Sequence, residues 1–167
     1  MTCAVLAVTL VKRLRTETRE RCGAAGKIVP MTTSTIAATL LCPIGAIHVY
    51  WAAGGRLGLD STIPQQSGKP MFKPGPGLTL LVGLLLFSLA ALVLWRDGVI
   101  TLPLPYVIAS FGVPLAALVF FARAVGDFKY VGWSKRVRGS RFARLDDVLF
   151  VPLCLTLAIC FGVVGWS

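Results

Sequence analysis

Residues 74–95, PGPGLTLLVGLLLFSLAALVLW, decide how this chain is read, because 22 residues pass without an Asp, Glu, Lys or Arg. An α-helix needs about 20 mostly apolar residues to cross a hydrocarbon core. Working outward, residues 28–55, 98–122 and 148–167 are also free of charge, over 28, 25 and 20 residues. Four such runs leave little of the 167 residues for a soluble core. The predicted fold is all-α: a four-helix transmembrane bundle with a Pro/Gly-rich first loop and a basic third loop. One such domain covers 31–167, and residues 1–30 form an N-terminal extension.

The composition agrees, at 56% hydrophobic residues and a mean hydropathy of +0.78. The formal net charge of +10 would suggest nucleic-acid binding in a soluble protein. Here the basic residues sit between the apolar runs, where they fix orientation in the membrane, and no nucleic-acid partner is expected. The four tryptophans, Trp51, Trp95, Trp133 and Trp166, fall at the ends of apolar runs. Indole prefers the headgroup level, so these residues read as interfacial anchors. They place helices over 32–53, 78–95, 103–125 and 148–166. Pro43 and Pro114 then fall inside the first and third helices, where they should introduce kinks.

Charge asymmetry orients the four spans. Loop one carries Arg56, Lys69 and Lys73, and loop three carries Arg123, Lys129, Lys135, Arg136, Arg138, Arg141 and Arg144, against Arg96 alone in loop two. The excess of Lys and Arg on the inner side puts loops one and three in the cytoplasm and both termini outside. The extension breaks this pattern, since Lys12, Arg13, Arg15, Arg19, Arg21 and Lys27 would then lie outside. Its short apolar run precedes its charges, the reverse of a secretory signal. Translation is therefore expected to start at Met31. The alternative is an interfacial amphipathic segment over 1–30.

Loop one, residues 54–77, holds six glycines and four prolines, a density that favours successive tight turns. With Met71 and Phe72 between prolines, it reads as an ordered loop folded over the bundle mouth rather than a free linker.

Three polar features stand out. His48, the single histidine, lies about one turn inside the first helix. Such a residue faces the bundle interior or, alternatively, bonds a backbone carbonyl at the interface. Arg123 and Asp127 lie four apart at the end of the third helix, close enough to pair. An acid at a helix C-terminus opposes the dipole, however, so Asp127 needs a cation or ligand beyond its own helix, or an earlier helix end. His48, Arg56, Arg123 and Asp127 are thus expected at similar depth as one polar cluster at the cytoplasmic mouth. The third feature is KRVRGSRFAR over 135–144, with five basic residues and no acid. Lys135, Arg136, Arg138, Arg141 and Arg144 are expected to contact anionic lipid headgroups. Asp146 and Asp147, just before the fourth apolar run, are expected to cap its helix.

A resemblance follows from several short patterns. They are HVYWAAGG over 48–55, PMFKPG over 70–75, GDFKYVG over 126–132, RFARLD over 141–146 and PLCL over 152–155. Together they resemble a family of small bacterial four-helix integral membrane proteins known as a domain of unknown function. The resemblance covers roughly 40–160. It implies the four-helix architecture and a bacterial cytoplasmic membrane, with no activity, substrate or cofactor attached.

The sequence has no phosphate-binding glycine motif, no His-Glu-x-x-His, no Gly-x-Ser-x-Gly and no Glu within any span. Its cysteines form no Cys-x-x-Cys pair. No catalytic residue, metal or cofactor is expected. The lipid bilayer and its anionic headgroups are the expected partners; an oligomer is left open and not predicted. A binding or accessory membrane protein fits this thin polar inventory best. The alternatives are a lipid-modifying enzyme using the His/Asp/Arg cluster, and a small transporter subunit.

Overall fold

The computed structural model describes residues 32–63, 65–66, 69–70, 74–137 and 140–166. The extension 1–30, the Met71–Phe72 pair, Lys73 and Arg138 lie outside the described residues. Four helices are long and apolar enough to span a membrane: α1 (Thr32–Ala52), α2 (Pro76–Arg96), α3 (Tyr106–Val125) and α4 (Arg141–Trp166). This is a multi-pass membrane protein with the expected all-α architecture. Loop one adds a single helical turn, Leu59–Thr62, and a two-residue antiparallel ladder in which Gln65 faces Pro70 and Gln66 faces Lys69.

Local chemistry sets the helix ends. Pro76 occupies the first turn of α2, where its missing N–H leaves no bond unmade. Gly98, at φ 75, carries the chain out of that helix. The third helix starts at Tyr106 rather than 103, after Pro103 and Pro105, because a residue before proline is pushed towards extended backbone. Pro43 and Pro114 lie inside α1 and α3. The fourth helix begins earlier than its charge-free run, at Arg141, with Ser140 Oγ accepting the Ala143 N–H at 3.0 Å. Ser140 is therefore the cap, and the expectation that Asp146 and Asp147 cap this helix is corrected. Both lie in a π-helical segment, Asp146–Phe150, in which the Val151 N–H reaches the Asp146 carbonyl. Pro152, with no N–H to donate, follows directly.

The interior is apolar. Leu41, Val93, Val113, Leu157, Phe161 and Val164 form its centre, and the Phe120 and Phe161 rings lie 5.5 Å apart. The first two helices meet at Gly45 and Gly83, where a Cβ on Gly83 would stand 3.1 Å from the Gly45 carbonyl oxygen. Large apolar side chains such as Leu84, Phe111, Leu118 and Ile159 point outward. Every span exposes large apolar side chains, Ile36 and Val49 on α1 among them, which is what a hydrocarbon solvent requires. The hydroxyls of Thr39, Ser88, Ser110 and Thr156 each donate to the carbonyl four residues back, so they place no unpaired donor in lipid.

The ends of the bundle differ. At one, Ser34 Oγ donates to Asp97 Oδ2 at 2.6 Å, tying the start of α1 to loop two, and Arg96 lies over the Tyr106 ring. At the other, the Leu59–Thr62 turn packs against the first turns of α4, so loops one and three share a face. Phe142 and Ala143 in α4 are buried here, as is Ile63, which follows the Leu59–Thr62 turn.

Candidate functional site

The densest polar structure lies between α3 and α4. Gly126 ends α3 at φ 85, and Gly132 repeats that angle six residues on. The two pinch the chain: a Cβ on Gly132 would stand 2.5 Å from the Gly126 Cα, and one on Gly126 would stand 1.7 Å from the Val131 carbonyl oxygen. Only glycine fits such a crossing, on steric grounds as well as by its φ. Between them, Asp127 Oδ1 accepts the N–H groups of Lys129, Tyr130 and Val131 at 3.0, 2.7 and 2.8 Å. Desolvation of this exposed carboxyl works upward but is outweighed by those backbone donors, which hold its pKa below the ordinary 3.8. The turn places Phe128 at φ 61, a left-handed conformation that costs a non-glycine residue about 1–2 kcal/mol.

Past the pinch, the Trp133 N–H donates to Ala124 and the Val137 N–H to Lys129, so the loop folds back on itself and on the end of α3. This fold carries Lys135 inward. Its side chain is fully buried, and its ammonium donates to the Gly132 carbonyl (3.2 Å), to Asp146 Oδ2 (3.2 Å) and to Asp147 Oδ1. All three ammonium donors are thereby used. Asp146, also fully buried, accepts from Lys135 and the Gly132 N–H (2.7 Å) on Oδ2 and from Arg123 Nη2 (3.0 Å) on Oδ1. Arg123, Asp146, Lys135 and Asp147 thus form a chain of alternating charge with zero formal sum. Each buried charge has an opposite partner, as a low-dielectric site demands.

Of the four residues expected to converge at the mouth, His48, Arg123 and Asp127 take separate partners. His48 Nδ1 lies 2.7 Å from the Ile44 carbonyl of its own helix, with its ring 5.1 Å from that of Trp51; this is the interfacial arrangement weighed as the alternative. Arg56 is exposed on loop one. Asp127 caps its own turn, because α3 ends at Val125 and leaves it beyond the helix dipole. Arg123 alone joins a charge cluster, and its partner is Asp146 rather than Asp127. Among the headgroup contacts expected, Lys135 is corrected: it is 2% exposed and wholly engaged inside. Arg136, Arg141 and Arg144 are exposed. The Trp51 indole N–H donates to the Leu57 carbonyl at 2.8 Å, Trp95 is half-buried, and Trp133 and Trp166 are exposed.

Sequence reasoning assigned Lys135 and Asp146 other roles and missed their pairing with each other and with Gly132. One signal was available: Asp146 and Asp147 are the only acids after Asp127, beside the basic run. A cavity of about 380 Å³ lies elsewhere on this face, between the end of α1 and the start of α2, lined by Trp51, Gly54, Leu59, Pro76 and Thr79 among others. Among the described residues, no group of three or more His, Cys, Asp or Glu is placed to hold a metal ion.

A family model described as "Protein of unknown function (DUF3995)" matches residues 41–161. No curated protein and no solved structure matches the chain.

Proposed function

The chain belongs to the DUF3995 family of proteins of unknown function, and from that premise we propose that it is a binding or accessory membrane protein whose third loop docks on anionic lipid headgroups. The division of charge within that loop carries this reading. Lys135 and Arg123 are neutralised by Asp146 and Asp147, whereas Lys129 and Arg136 on the loop and Arg141 and Arg144 in the first turn of α4 stay exposed. The one acid in the loop tip, Asp127, has a carboxylate oxygen occupied by three backbone N–H groups. Each basic residue near an anionic membrane surface contributes about 1 kcal/mol. The same reading puts the protein in the bacterial cytoplasmic membrane with loops one and three inside and both ends outside. Residues 31–167 act in it as one membrane domain.

The test is lipid-induced stabilisation of the full chain in neutral detergent. Added phosphatidylglycerol should raise its melting temperature well above the effect of phosphatidylcholine. The triple variant Arg136→Gln, Arg141→Gln, Arg144→Gln should lose most of that difference. An undiminished difference in the triple variant defeats the reading.

A further inference from the structure

We infer that Phe128, on the same loop as the exposed Trp133, is a membrane-inserting residue, seated in the headgroup and glycerol layer of a phospholipid leaflet. The inference rests on the lipid-docking reading above and names the part of the lipid that the loop tip meets. At 20 residues and 1.5 Å per residue, α3 measures about 30 Å, the thickness of a hydrocarbon core. Its last turn therefore ends at the core boundary, and a loop pinched at Gly126 and Gly132 just beyond it lies in the interfacial layer. Two large rings stand open there: Phe128 is 62% exposed and Trp133 73%.

The backbone holds Phe128 in this position against its own preference. Its φ of 61 is left-handed, and the three N–H bonds to Asp127 maintain the turn. An aromatic side chain held on a strained backbone with most of its surface exposed gains stability only from an apolar environment outside the described chain. A phospholipid supplies one by complementary chemistry, taking the ring between headgroups and its phosphates against neighbouring cations. Lys129 follows Phe128 directly, and the Val137 N–H bond to the Lys129 carbonyl (3.0 Å) brings Arg136 to the same tip. Trp133 is held at the same depth by its N–H bond to Ala124, in the last turn of α3.

The experiment uses the full chain with its five native cysteines replaced, a nitroxide on Phe128→Cys, and reconstitution into phosphatidylglycerol-containing vesicles. The ratio of relaxation by membrane-soluble oxygen to relaxation by a water-soluble nickel chelate should exceed the ratio for a free nitroxide in buffer. A ratio no higher than that of the free nitroxide places residue 128 in water and overturns the inference. Shielding from both reagents indicates a protein partner or a second copy, and overturns phospholipid as the occupant. If the labelled protein does not fold, Phe128→Gly decides. Glycine adopts this φ without strain, so the variant should melt no lower than the parent in detergent while its phosphatidylglycerol-induced shift shrinks. An undiminished shift overturns the inference. Failure at residue 128 with loss of the shift in the triple arginine variant leaves the docking reading standing; an intact shift in that variant sinks the docking reading itself.

Discussion

Asp146 ties the third loop to both helices that flank it. It is fully buried and joins a helix-α3 arginine, a loop lysine and a loop N–H. Removing one partner of a buried pair strands the other, at about 3–5 kcal/mol. Asp146→Ala should lose stability of that order in thermal or denaturant unfolding. Asp146→Ala with Lys135→Met should cost less than the two single changes summed, because the second removes the stranded ammonium. Asp127 makes a different, pH-dependent contribution. Its folded pKa is lowered, so its stabilisation of the turn is fully present above the unfolded value of 3.8 and is lost as pH falls through the lower folded value. Amide chemical shifts of Lys129, Tyr130 and Val131 should titrate with a midpoint under 3.8 and lose that transition in Asp127→Asn. A midpoint at or above 3.8 would contradict the three-bond cap.

Among the elements, the glycines of α2 and α4 separate packing from propensity. On Gly83 a Cβ would meet the Gly45 carbonyl oxygen at 3.1 Å and the His48 Cβ at 3.2 Å, both on α1; on Gly162 it would meet nothing within 4 Å. Gly83→Val should force the first two helices apart and cost about 1–3 kcal/mol. Gly162→Ala should be neutral or stabilise by up to about 1 kcal/mol, since alanine is the better helix former. Melting temperatures of the two variants in one detergent provide the comparison, and equal effects would contradict the close crossing. The fourth helix teaches a related lesson. Its apolar run marks the membrane-spanning part, but its start is set by the Ser140 cap and by burial of Phe142 and Ala143, both upstream of that run.

For the whole molecule, the shared face of loops one and three and the opposite placement of loop two are consistent with four antiparallel spans. The proposed orientation rests on the ten-to-one balance of basic residues between loops one and three and loop two. A reporter fused at Ser140 should read as cytoplasmic and one at Gly98 as external. An external signal from Ser140 would reverse the orientation.

By itself the sequence determined the four spans, their approximate limits, the Pro/Gly-rich and basic loops and the placing of Trp51, Trp95 and Trp166 at helix ends, whereas Trp133 lies within loop three. These follow from how long an apolar run must be and from where charge and indole are tolerated, which are properties of the bilayer more than of the fold. Only the tertiary structure decided which charges are spent inside. Sequence spacing suggested Arg123 with Asp127, four apart on one helix. In the folded chain the helix stops at Val125, the Gly126–Gly132 pinch turns Asp127 onto its own backbone, and Arg123 meets Asp146, 23 residues away. Lys135 belongs to a uniformly basic run, yet the return of the loop buries it while Arg136 stays in the open. Two neighbouring cations of like chemistry are separated by the path of the backbone between two glycines. That path depends on long-range contacts, which no local periodicity encodes.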